Sequence, residues 1–512
     1  MKKILRLVAM VIALCMLLGT LASCESCKKE EEVIEGAEAL ALANQLKAQS
    51  DAYYQNGTKE TATITGSMIG LVNGVSFDSQ ITATTVTEIR YPNAENFAYR
   101  SEETSKIVTT MNGSSETEES VISEIFAENC MYYSYTPINS SESATRLSSV
   151  CTAAEYQELL DFKARNTPSF DSFQSIQLKK DEEAGNWILT LADINKSDPS
   201  IKQWASELLA AAFPTKMEIQ SCKMVYTIRI DTGALIKEKM TLRIVTVNSE
   251  ECNLEFLLSG EAKVESVSES GSFKPENLGS YTQTHDLRYI DYAEAAFSAL
   301  SGSENASFRY NTEQNVQRKV GNNFTSLADY KENGSLQYGR QNGLYRYVLE
   351  YYSQVDNESR SNAKVIYDGT RLYAKSGNEE QVAEASEFRA RMTLVSGLLS
   401  HFVFSSNDVQ TVELTDEGEN TNVNLTLDAT EDAASMFSSM GLDASKLKNA
   451  TNTMSFVLDA DKNLVSAQYR LDASLVNGST TYILNIDLTF KNIGTADFSD
   501  MVIPASVGAS TL

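Results

Sequence analysis

The chain has few of the features that announce a reaction. Histidine occurs only twice in 512 residues, at His285 and His401. No serine sits in a Gly-x-Ser-x-Gly elbow, so no Ser/His or Cys/His constellation stands out. No apolar run beyond the first 23 residues reaches the roughly 20 residues needed to cross a bilayer as a helix. Positive charge is scarce as well, with 43 Lys and Arg against 69 Asp and Glu. That balance speaks against nucleic acid, whose phosphates demand basic patches, and against docking of the folded body on anionic lipid.

What is present begins at the N-terminus. Lys2, Lys3 and Arg6 precede an apolar core, Leu7–Leu18, and the segment Leu21-Ala22-Ser23-Cys24 ends in small residues and a cysteine. This pattern resembles the lipobox of bacterial lipoproteins. The resemblance implies that 1–23 is a signal peptide, that the Cys24 thiol is acylated, and that the protein is exported and held at the extracytoplasmic face of the cell membrane. Loss of the leader removes three of the 43 basic residues and leaves 40 against 69, or −29. Residues 24–34 then form the acylated cysteine and a charged tether.

A second pattern is an internal repeat of roughly 225–236 residues, far longer than a solenoid period. Asn186-Trp187-Ile188-Leu189-Thr190-Leu191 matches Asn422-Val423-Asn424-Leu425-Thr426-Leu427. Strand, aspartate turn and strand follow at Met224–Ile230, Asp231–Ala234 and Leu235–Val247, and again at Met454–Leu458, Asp459–Asn463 and Leu464–Leu475. The copies close at Gly271–Pro275 and at Ala496–Pro504. Two homologous domains are expected, at 35–281 and 285–508.

Periodicity types the elements. Helical spacing marks Ala39, Leu42, Ala43 and Leu46; Tyr289, Ala293, Phe297 and Leu300; and Ile201, Trp204, Ala205, Leu208, Leu209 and Ala212, the last run framed by Asp198, Pro199 and Pro214. Phe388, Met392, Val395, Leu399 and Phe402 mark a further amphipathic helix. Alternation marks strands at Met240, Leu242 and Ile244 and at Tyr482–Phe490. The expected fold class is α+β: in each domain a curved antiparallel sheet, an incomplete barrel, packed against helices. On the lipobox, the opening helix and the units Ile228–Ile236 and Leu458–Val465, the chain resembles the Lol-type lipoprotein carriers, the mycobacterial LppX-like lipoproteins and related Gram-positive lipoproteins. That resemblance implies a cavity between sheet and helices for a lipid or other apolar ligand. The candidate lining is Phe388, Met392, Val395, Leu399 and Phe402.

Other motifs read as structure. Asp231-Thr232-Gly233 imitates an aspartic-protease triplet, but the second copy keeps the turn and loses the triplet. Asp459, Asp461 and Asn463 imitate the start of an EF loop whose twelfth position, Arg470, is no calcium ligand. Cys24-Glu25-Ser26-Cys27 loses its redox or zinc meaning once Cys24 carries lipid. Cys222 and Cys252 read as buried thiols, while Cys130 and Cys151 either close a short loop or stay reduced. The expectation is a non-catalytic, membrane-anchored lipoprotein without cofactor or metal that binds an apolar ligand. The alternative is a structural or interaction lipoprotein whose filled domains meet a cell-envelope protein or polymer.

Overall fold

A computed structural model describes residues 33–72, 74–90, 97–139, 144–164, 168–196, 217–246, 252–267, 271–302, 305–356, 358–387, 389–391 and 398–498. The leader, Cys24, Cys27 and the helix expected at Ile201–Ala212 lie outside these residues. The chain divides into two compact units, Met1–Gln283 and Thr284–Leu512.

The first unit builds a sheet of 13 strands: β1 (Val33–Glu35), β2 (Gly57–Val72), β3 (Val75–Arg90), β4 (Ala98–Met111), β5 (Ser114–Ala127), β6 (Cys130–Ile138), β7 (Thr145–Val150), β8 (Phe173–Asp181), β9 (Asn186–Ile194), β10 (Met217–Arg229), β11 (Leu235–Thr246), β12 (Cys252–Ser266) and β13 (Thr282–Gln283). The second builds a sheet of 11: β14 (Asn305–Val320), β15 (Asn323–Gln341), β16 (Leu344–Val355), β17 (Ser361–Tyr367), β18 (Arg371–Ser376), β19 (Glu379–Glu384), β20 (Val409–Glu417), β21 (Asn420–Asp428), β22 (Leu447–Leu458), β23 (Leu464–Asn477) and β24 (Thr480–Gly494).

The strand orders coincide. The first sheet runs β8-β9-β10-β11-β12-β2-β3-β4-β5-β6-β7, with β1 and β13 added at its two edges. The second runs β20-β21-β22-β23-β24-β14-β15-β16-β17-β18-β19. In each, two meanders are joined because the last long strand pairs antiparallel with the first, β12 with β2 and β24 with β14.

The α+β expectation is corrected: strands hold 64% of the described residues and helices 18%. The described helices of eight or more residues are Gly36–Tyr53, Ala153–Ala164, Arg288–Gly302 and Thr430–Ser439, too few to cover a sheet as a second layer. The physical reason lies in strand length. Strands run for 16 residues in β2 and β3 and for 19 in β15, with clear inward–outward alternation over only part of each. Many inner positions in these runs carry Ala, Gly, Ser or Thr, which weakens the hydrophobic signal. Tight turns then join the strands; Asn112-Gly113 and Asn342-Gly343 both have positive φ at two successive residues, the backbone a two-residue hairpin requires.

One face of each sheet is buried, here the inner face. In β12 Leu254, Phe256 and Leu258 are buried, and in β24 Leu484, Ile486, Leu488 and Phe490 are. The opening helix of the first unit buries Ala39, Ala43 and Leu46, with Leu42 at its margin. Its Tyr54 C-cap donates its hydroxyl to the Leu235 carbonyl at 2.5 Å, tying the helix end to the β10–β11 turn.

Candidate functional site

Of the expected cavity-lining residues, Phe388, Met392 and Val395 lie outside the described residues. Leu399 and Phe402 occupy a single 3-10 turn, Leu399–Phe402, and are 1% and 0% exposed. The Phe402 ring centroid stands 4.6 Å from that of Phe490, 5.7 Å from Phe297 and 6.3 Å from both Phe456 and Tyr469. Here protein rings fill the inner face. His401 in the same turn lies against Tyr469, the ring centroids 5.0 Å apart and the planes tilted by 43°.

The inner face changes character across each sheet. In the first unit one cross-strand row reads Ile176, Leu191, Met224, Met240, Gly260, Ile64, Ala83, Ser105 and Ser120 from β8 to β5. In the second, the row from β20 to β17 reads Val412, Leu425, Met454, Tyr469, Leu488, Thr312, Glu332, Ser353 and Ser361. Both begin aliphatic and end in a serine pair. The hydroxyls of these pairs lie 3.0 Å apart in Ser105–Ser120 and 2.9 Å apart in Ser353–Ser361.

The polar half of the first inner face carries three carboxyls, Glu60, Glu103 and Glu124. Ala62, Thr85 and Glu103 are cross-strand neighbours on β2, β3 and β4, and Glu60, Thr87 and Ser101 form the next row. Glu103 is 6% exposed, and its Oε1 is buried with no hydrogen-bond partner. The surrounding hydroxyls are spent on one another: Thr87 with Ser101 at 3.2 Å and Ser79 with Thr109 at 3.1 Å. Burial alone pushes the carboxyls of Glu60 and Glu103 up to about 7. Glu124 differs, since it accepts the Tyr156 hydroxyl and meets Lys163 at 3.6 Å. Tyr156 is fixed by stacking on Phe126 at 4.7 Å, which docks the helix Ala153–Ala164 on this half of the face.

The polar half of the second inner face is tyrosine-rich. Tyr310 and Tyr330 both donate to Glu332, the former at 2.5 Å. Burial, then the Glu332 carboxylate, drives both phenols well above their ordinary value. Tyr347 stacks on Tyr367 at 6.0 Å and is 1% exposed at most, with its hydroxyl unpartnered. Beside them Glu387 lies 2.6 Å from Arg340 and 3.0 Å from Arg391, whose guanidinium covers the Tyr345 ring at 4.0 Å.

The remaining motifs are used structurally. Asp231 pairs with Arg229 at 2.6 Å in the β10–β11 turn. Asp459 accepts from the backbone N–H groups of Asp461 and Asn463 at 2.9 and 2.8 Å, so its oxygens are spent inside the β22–β23 turn. His285 Nδ1 lies 3.0 Å from the Val412 carbonyl. Cys222 and Cys252 are buried, and the Cys130 and Cys151 thiols donate to the carbonyls of Met131 and Thr152. Among the described residues no three His, Cys, Asp or Glu gather as a metal site.

Sequence reasoning passed over Glu60, Glu103 and Glu332. Their signal was parity: Glu103 shares the inner register with Tyr99 and Ile107. A carboxylate there breaks the alternation that strand periodicity rewards.

No protein-family model and no curated protein matches the chain. Among solved structures, the translocator domain of the autotransporter NalP from Neisseria meningitidis aligns at 7% identity over 89% of this chain and 96% of that one, with a TM-score of 0.10. OccK5 of Pseudomonas aeruginosa aligns at 5% identity over 86% of this chain and 98% of that one, with a TM-score of 0.12. Transferrin-binding protein B from Haemophilus parasuis aligns at 10% identity over 86% and 77%, also at 0.12. Scores this low assign the chain to no family.

Proposed function

We propose that this is a non-catalytic, lipid-anchored lipoprotein of the extracytoplasmic membrane face whose inner sheet faces bind an amphiphilic ligand. The anchor rests on the Met1–Cys24 pattern. The binding reading is carried by one observation: both inner faces pass from aliphatic rows to carboxyl and hydroxyl groups, and in the first unit a buried carboxyl oxygen is left without a partner. A face evolved only as a core gains nothing from such a group, because an unsatisfied buried polar atom costs about 1–3 kcal/mol. A molecule with an apolar body and a polar head matches the gradient.

The test is extraction of lipid from protein purified out of its native membrane, followed by mass spectrometry. A stoichiometric amphiphile supports the reading. Protein that carries none and binds no fluorescent amphiphile overturns it.

A second reading, an interaction module for an envelope polymer, draws on the outer face of the second unit. An open groove there of about 630 Å³ is lined by Lys319, Lys448, Asn449, Asp472, Ser474 and Asn485, among others. Pull-down on insoluble cell-wall polymer, lost in a Lys319→Ala, Lys448→Ala double variant, would favour it.

A further inference from the structure

The polar half of the first inner face is acidic: Glu60, Glu103 and Glu124 stand on its strands β2, β4 and β5. Lys163 on this half of the face is engaged by Glu124 at 3.6 Å. Burial raises the Glu60 and Glu103 carboxyls, and the buried Oε1 of Glu103 has no hydrogen-bond partner. The Tyr99 phenol, one row beyond Ser101 on β4, is pushed up by burial, then by Glu124, and more weakly by Glu60. A carboxyl in such a place gains most from a ligand that brings charge and donors together.

The chemistry of that ligand can be narrowed. An anionic head would face both the Glu60 and Glu103 carboxyls, and Lys163 on this half of the face is already engaged by Glu124. A single metal ion does not fit either, because Glu60 and Glu103 stand on strands two apart, about 10 Å across the sheet, and no third ligand joins them among the described residues. A protonated primary amine supplies three donors and one charge. Ala62 adjoins this band on β2, and Ile64, Ile81 and Ile107 continue it as buried apolar surface.

We propose that the inner face of the first unit recognises the ammonium head of a cationic amphiphile, with Glu103 as the acceptor and Glu60, two strands away, as a further negative charge that attracts it. This deepens the binding reading above and rests on it. The carboxylate forms a charge-assisted hydrogen bond to the ammonium, and the aliphatic rows take the chain.

The experiment titrates the full-length protein at about pH 8 with dodecylamine, dodecanol and dodecanoate, in 0.5 M salt to screen the acidic exterior. Dodecylamine should bind at least about tenfold more tightly than dodecanol, and dodecanoate more weakly than either. Glu103→Gln should erase the preference for amine over alcohol while retaining dodecanol binding, and the exposed Glu116→Gln should change neither. Glu60→Gln should reduce the same preference and serves as a second reading if Glu103→Gln does not fold. Equal binding of amine and alcohol, or an amine preference that survives both substitutions, overturns the ammonium site while leaving amphiphile binding intact. Failure of all three probes to bind overturns the binding reading itself.

Discussion

The ring of Tyr310 lies over Gly334, its Cε1 2.9 Å from where a Cβ on that glycine would stand. The Tyr351 Cβ closes the other side at 2.8 Å. The bare backbone at 334 is what allows Tyr310 to cross the sheet and donate to Glu332. Gly334→Ala should therefore unseat the Tyr310–Glu332 hydrogen bond and cost about 1–3 kcal/mol as an overpacked site. Urea denaturation followed by tyrosine fluorescence would show it, and an unchanged midpoint would refute the packing account.

The buried carboxyls of the first unit make stability depend on pH with a definite sign. Between the ordinary glutamate value of 4.5 and about 7, the folded protein keeps protons on Glu60 and Glu103 that the unfolded chain releases. Folding therefore loses stability as pH rises through that window, by an amount on the order of 3 kcal/mol per group once both forms are ionised. Glu103→Gln should match the parent near pH 4.5 and exceed it at about pH 8. A difference that stays constant with pH would contradict burial of an ionisable group there.

Phe402 gives the converse test in the second unit. Its ring fills a space bounded by Phe297, Phe456, Tyr469 and Phe490, so Phe402→Ala should open a cavity and cost about 3–5 kcal/mol. A loss below about 1 kcal/mol would mean that the aromatic cluster collapses readily and that this end of the face is loosely filled.

Anchoring is tested at one atom. Cys24→Ser should release folded protein from membranes if, as proposed, that thiol carries the lipid. Retention at high salt would defeat the lipobox reading.

How much of this was legible in the sequence depends on what each element buries. The Met240, Leu242, Ile244 alternation and the run through Leu484, Ile486, Leu488 and Phe490 were readable because large aliphatic side chains mark the inner parity. The opening helices were readable for the same reason, through Ala39, Ala43 and Leu46 and through Ala293, Phe297 and Leu300. The first meander was not. In β2 to β5 the inner register holds Ala62, Ala83, Thr85, Ser105 and Ser120, whose hydropathy barely differs from that of the outer residues. Their burial is set by the neighbouring strands, which periodicity within one segment does not report. Of the expected Phe388–Phe402 helix, residues 389–391 are helical and Leu399–Phe402 is a 3-10 turn against an aromatic floor.

The pairing of each unit's first long strand with its last has a consequence for how the molecule comes into being. Thr65 on β2 bonds the carbonyl of Ser259 on β12, 194 residues later in the chain. During synthesis β2 emerges early and gains β3 quickly, yet its other edge stays open until nearly the whole unit has been made. An edge of 16 residues left unpaired that long is a template for mispairing with other chains. Its outward positions Thr61, Thr63 and Thr65 are uncharged and offer no repulsion against it. Assembly should therefore be slow and governed by the arrival of the final strand. A nascent chain stopped before Cys252 would be the aggregation-prone species, and the one in greatest need of a chaperone.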